Sequence, residues 1–87
     1  MQVPVGSAKP FQAVPIRGTY RGGANAFLRV QRWQGGIWLD FPLPTKTDDS
    51  GRFTAHVEFG QPGRYTLRLL DPDSGVASQP FELVVAG

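Results

Sequence analysis

The sequence predicts a single all-β sandwich, and three observations carry the prediction. Apolar and polar residues alternate with period two in three separate runs. Turn signals built from Gly, Pro, Asp and Ser separate the apolar runs at intervals of roughly 8–12 residues, the spacing of a sandwich or barrel. No window of helical length escapes a Gly or Pro, except inside runs that are β-branched or alternating. The 11 Gly and 8 Pro are spread between the runs and not clustered, as in a protein of short strands and tight turns. At 87 residues the chain is read as one domain, residues 1–87. Its core is thin, because a chain of this size buries only about 60–65% of the surface its unfolded form exposes.

Seven strands are predicted, at about 3–7, 11–18, 26–34, 37–43, 52–59, 64–70 and 76–85. Pro4, Pro10 and Pro15 confine the first two to edges or bulges, since proline donates nothing to a ladder. In the fifth, Phe53, Ala55, Val57 and Phe59 point one way and Thr54, His56 and Glu58 the other. In the sixth, Tyr65, Leu67 and Leu69 oppose Thr66 and Arg68; in the last, Phe81, Leu83 and Val85 alternate with Glu82 and Val84. Between them, Asp48-Asp49-Ser50-Gly51, Gln61-Pro62-Gly63 and Asp71-Pro72-Asp73-Ser74-Gly75 read as turns. There an Asp side chain accepts from nearby backbone N–H groups and a Gly takes positive φ. Seven strands suit an immunoglobulin-like or fibronectin-III-like β-sandwich.

One register follows closely from the residues. Gly35-Gly36 fits a two-residue hairpin turn in which both central residues need positive φ. That turn pairs Gln34 with Ile37, Trp33 with Trp38, Gln31 with Asp40, Val30 with Phe41 and, continued, Leu28 with Leu43. The face holding Leu28, Val30, Phe41 and Leu43 is then the core. The opposite face carries Phe27, Arg29, Gln31, Trp33, Trp38 and Asp40. A three-residue turn sets Val30 against Asp40, the poorer pattern.

Composition narrows the function classes. The net charge is +2, only two lysines are present, and the arginines are interleaved with acids. A nucleic-acid binder shows a clustered basic stripe, so nucleic acid is not the expected partner. Without cysteine there is no disulfide and no thiolate metal site. No apolar run approaches the ~20 residues of a membrane span. Met1-Gln2-Val3-Pro4 lacks the basic start and apolar core of a signal peptide. Between a cytoplasmic protein and one domain of a longer exported chain, the second is the expectation.

No catalytic constellation emerges. His56 is the only histidine, and it shares the solvent side of its strand with Thr54 and Glu58. A triad needs nucleophile, base and orienting group together, and a metal site needs several ligands. Asp71, Asp73 and Ser74 lack the further ligands and terminal Glu of a calcium loop, as do Asp48 and Asp49. Gly22-Gly23 has no Walker lysine and no following helix, so it reads as a turn. No cofactor is expected.

Leu28-Arg29-Val30-Gln31-Arg32 followed by Gly35-Gly36-Ile37-Trp38 resembles the bacterial immunoglobulin-like repeat domains of actinobacterial exported or surface proteins. So do Thr47-Asp48 with Gly51-Arg52-Phe53, Pro62-Gly63-Arg64-Tyr65, and Ser78-Gln79-Pro80 before the last strand. The resemblance spans about residues 12–85 and rests on order and spacing, since each motif alone recurs in many sandwiches. It implies a non-catalytic structural or interaction module at an extracellular, periplasmic or cell-surface location. It also implies that Tyr65 forms a tyrosine corner, its hydroxyl bonding backbone a few residues upstream. Some such domains carry a Lys–Asn isopeptide bond. Here Lys9 or Lys46 with Asn25 are the candidates, and no carboxylate falls at a clearly buried position near them.

Trp33 and Phe27 depart from an inert spacer. Phe27, Arg29, Trp33, Trp38 and Arg68 form the candidate binding surface, with Tyr65, Gly35 and Gly36 as structural residues. The partners weighed are another domain of the same chain, a surface protein, or cell-wall glycan. One alternative is therefore a carbohydrate or cell-wall binding module, and another is an accessory domain packed on an attached enzyme.

Overall fold

A computed structural model describes residues 6–42 and 44–87. It is all-β, with eight strands where the sequence predicts seven: β1 (Gly6–Ala8), β2 (Val14–Thr19), β3 (Phe27–Gln34), β4 (Ile37–Asp40), β5 (Thr45–Lys46), β6 (Arg52–Val57), β7 (Gly63–Leu70) and β8 (Phe81–Val85). The larger sheet runs β1-β8-β7-β3-β4, with β5 also paired to β3; the smaller is β2-β6. β1 lies parallel to β8, and the other pairings are antiparallel. Among the described residues no helix is long and apolar enough to cross a membrane.

The period-two runs decide which faces meet. Phe53, Ala55 and Val57 from the small sheet, with Phe59 just beyond its end, are buried against Leu28, Val30, Leu67, Leu69, Phe81, Leu83 and Val85 from the large one. Burying a side chain of the Leu or Phe class contributes roughly 1.5–3 kcal/mol, so this shared layer is the main stabilising term. At the end nearest the β6–β7 turn, Phe59 stacks on Tyr65 at 3.8 Å and meets Phe41 edge-on at 5.8 Å.

The register argued from Gly35-Gly36 holds through the hairpin: Gln34 opposes Ile37, Trp33 opposes Trp38 and Gln31 opposes Asp40. Both glycines take positive φ, 62° and 87°. The Phe41 N–H donates to the Val30 carbonyl at 2.8 Å.

Beyond Phe41 the continued pairing fails. Leu28 opposes Thr45, two residues later than the hairpin register would give, and Leu43 lies outside the described residues. Pro42 and Pro44 have no N–H, so β4 stops at Asp40 and the chain re-pairs as the extra strand β5. Other strand limits also move, and the strand expected at 52–59 ends at Val57. The strand expected at 3–7 is described only from Gly6 and runs to Ala8. The one expected at 11–18 begins at Val14, because Phe11 sits at φ 60° and cannot extend a strand. The one expected at 76–85 begins at Phe81; before it, only Ala77 bridges to Leu70.

Candidate interaction face

The outer face of the large sheet is built around β3. Trp33 and Trp38 face each other across the hairpin, ring centroids 5.2 Å apart and planes at 65°. Hydrogen-bonded and non-hydrogen-bonded pairs alternate along an antiparallel ladder, and Val30–Phe41 is a hydrogen-bonded pair. Trp33–Trp38 and Gln31–Asp40 are therefore non-hydrogen-bonded pairs, where side chains approach most closely. Trp33 is 49% exposed and Trp38 half-buried.

Next to them lies a chain of polar contacts. The Arg68 Nε donates to Gln31 Oε1 at 2.7 Å, and Gln31 Nε2 donates to Asp40 Oδ1 at 2.7 Å. β7 places Arg68 directly opposite Gln31, so the Arg68 side chain reaches diagonally across β3 and lays its guanidinium over Trp38, 4.3 Å from the ring centroid. A cation held over an indole gains about 0.5–1 kcal/mol when exposed and more when water is excluded. Arg29 sits on the far side of Asp40. Its Nη2 donates to the Phe41 carbonyl at 2.9 Å, and its Nε lies 3.6 Å from Asp40 Oδ2. At that distance the pair is ionic only, and the buried Nε has no hydrogen-bond acceptor.

Arg29, Trp33, Trp38 and Arg68 thus gather around Gln31 and Asp40. Phe27 does not join them. It lies six residues along β3 from Trp33, about 20 Å by strand rise, and its ring takes Lys46 Nζ at 5.5 Å. The connecting residues, Gln31 and Asp40, fall outside the set singled out from sequence. Their signal was present, since both lie on the outer face as a directly opposed pair. Gln31 is also buried, which a solvated polar face does not require.

The remaining chemistry-bearing residues serve local structure. Tyr65 Oη donates to the Gln61 carbonyl at 2.7 Å across the Pro62-Gly63 turn. Asp48 Oδ1 accepts from the N–H groups of Ser50 and Arg52. Asn25 Nδ2 donates to Asp49, and Lys46 is drawn to Phe27. The Asp71 carboxylate accepts from the Tyr20 hydroxyl at 2.8 Å and from the Asp73 and Ser74 N–H groups. The Tyr20 hydrogen bond first, then Ser74, hold its pKa below the ordinary aspartate value. Among the described residues no group of three or more His, Asp or Glu side chains could hold a metal ion.

No protein-family model matches the chain, and no curated protein matches it. Among solved structures it is similar to that of the NK cell receptor NKp44, described as a triggering partner in natural cytotoxicity. The two share 17% identity and a TM-score of 0.59, over 99% of this chain and 100% of that one. At this identity the likeness concerns the fold. Together with the two all-β sheets, it supports an immunoglobulin-like fold.

Proposed function

We propose that this domain is a non-catalytic interaction module of an exported bacterial protein, and that it binds through the outer face of the β4-β3-β7 sheet. The observation that carries the reading is the guanidinium of Arg68 held over Trp38 by Gln31 and Asp40, beside a half-exposed Trp33. Trp and Arg dominate the energetics of protein contacts, and side chains already fixed lose little entropy on binding. A protein partner is favoured over glycan. The tryptophans cross at 65° and one face of Trp38 is taken by Arg68, so no flat two-ring platform is left for a sugar.

The test is capture from cell-envelope extract by the immobilised domain, compared with its Trp33→Thr/Trp38→Thr variant. Wild type should retain a protein that the folded variant loses. Equal capture by both, or retention of purified peptidoglycan alone, contradicts the reading.

A further inference from the structure

The strand edges of the molecule are protected unequally. β2 carries Pro15 and the exposed Arg17, residues that discourage an added strand. β6 is occupied over Arg52 and Thr54, which bond Asp48 and the Thr45 hydroxyl. β4, at the end of the large sheet, has neither protection. Trp38 and Asp40 form its non-hydrogen-bonded pairs with β3, so their N–H and C=O groups point away from β3 into the free edge. Among the described residues no strand, loop or side chain bonds those groups. No Lys or Pro lies between Ile37 and Asp40. The charge of Asp40 is offset by Arg29 at 3.6 Å, so it guards the edge weakly.

The inner side of this edge is apolar. Ile37 and Leu39 share the parity of Phe41, but the small sheet holds only β2 and β6 and does not cover them. They remain 57% and 38% exposed. Both lie on the opposite side of the sheet from Trp33, Trp38 and Arg68, so the outer face does not account for them.

We infer that β4 pairs edge to edge and antiparallel with β4 of a second copy of this chain, about a two-fold axis through Leu39. In that register Trp38 of each copy opposes Asp40 of the other. Each pair exchanges both of its N–H···O bonds, which satisfies every outward main-chain group of the two residues. On the inner side Leu39 meets its own copy as a non-hydrogen-bonded pair, where side chains come closest, and Ile37 meets the other copy's Phe41. On the outer side the half-exposed Asp40 carboxylate comes beside the other copy's Trp38. Over that ring lies the Arg68 guanidinium, whose terminal nitrogens make no hydrogen bond among the described residues. Opposite charges therefore approach across the axis in both directions. This reciprocity is what favours a second copy, since an unrelated strand would have to bring its own acid and apolar residues at the matching positions. Pairing ends where Pro42 of one copy reaches Gly36 of the other, because proline has no N–H and glycine no side chain to obstruct it. Four paired residues span about 13 Å. Such a contact falls at or below the low end of the ~1,200–2,000 Å² of stable complexes, and its dissociation constant lies between about 1 μM and 1 mM.

The test is sedimentation equilibrium of the wild-type domain from about 10 μM to about 1 mM, a range that brackets such a constant. The mass should rise from monomer toward dimer. In the 15N-labelled domain the amides of Trp38 and Asp40 should shift with concentration and gain protection from hydrogen exchange. The Leu39 amide, directed at β3, should be protected throughout. Leu39→Lys sets like charges face to face on the axis and should weaken association at least about tenfold, with circular dichroism unchanged. Leu39→Glu should do the same. An equimolar mixture of the two variants should recover a dimer, because on a two-fold axis the residue faces its own counterpart. A monomer mass up to about 1 mM, concentration-dependent shifts confined to other amides, undiminished association of Leu39→Lys, or no recovery in the mixture would each overturn the proposal. Neither variant alters Trp33, Trp38 or Arg68, so these outcomes are separable from partner capture by the outer face.

Discussion

The large sheet carries large apolar side chains on both faces, and the two faces hold them in different ways. On the inner face Leu28, Leu67, Leu69 and Leu83 are at most 1% exposed, closed in by the β2-β6 sheet. On the outer face Trp33 is 49% exposed, and its neighbour Trp38 is covered from above by a guanidinium and not by another layer. The inner residues are fixed by packing density, so removing one leaves a void. The outer ones are fixed by edge contact and by hydrogen bonds through Gln31 and Asp40. Apolar area alone therefore does not identify a core. What distinguishes the faces is whether loss of a side chain opens a cavity or only uncovers a surface.

That contrast can be broken by mutation, and the largest effect belongs to the inner face. Leu69→Ala should cost about 2–5 kcal/mol in urea unfolding, because the site is closed on all sides. Gly51→Ala comes next. Gly51 sits at φ 78° in the turn after Asp48, and an added Cβ would collide with the Tyr20 carbonyl. The left-handed conformation alone costs about 1–2 kcal/mol for an alanine, and the backbone clash adds to it. Tyr65→Phe keeps the ring on Phe59 but removes the bond to Gln61, with an expected cost of about 1 kcal/mol. A neutral result would show that the corner bond adds nothing to the packing.

The Asp71 clasp makes a smaller contribution and one that depends on pH. Its folded pKa is depressed relative to the ordinary 3.8. Its contribution is therefore fully present above that value and is lost as pH falls through the lower, folded value. The urea midpoint of wild type should drop across this acid range, and Tyr20→Phe should flatten the drop. Parallel curves for the two proteins would count against the clasp.

The parts legible in the sequence are those set by local chemistry. Gly35-Gly36 determines a turn, the turn determines the register, and the register places Trp33 opposite Trp38. The alternation from Phe53 to Phe59 separates core from solvent in the same direct way. Legibility ends where tertiary pairing takes over. Pro42 and Pro44 signal a break, but not that Thr45 and Lys46 return to β3 in a shifted register. The reach of Arg68 to Trp38 depends on β7 lying beside β3, which neither strand encodes by itself. Phe27 shares the parity of Trp33 and so looks like part of one surface, yet distance along the strand separates them.

The most direct test of the contrast is the stability of the Trp33→Thr/Trp38→Thr variant in urea. Threonine keeps a residue suited to a strand while removing both indoles and the platform under Arg68. If the outer aromatics are a surface held in place, unfolding free energy falls by only about 1 kcal/mol, with an unchanged dependence on urea concentration. Any exciton feature of the coupled indoles in the far-ultraviolet circular dichroism should vanish at the same time, and in either single variant as well. A loss above roughly 3 kcal/mol, the size expected for emptying a core site, would show that the tryptophans belong to the core and contradict the account.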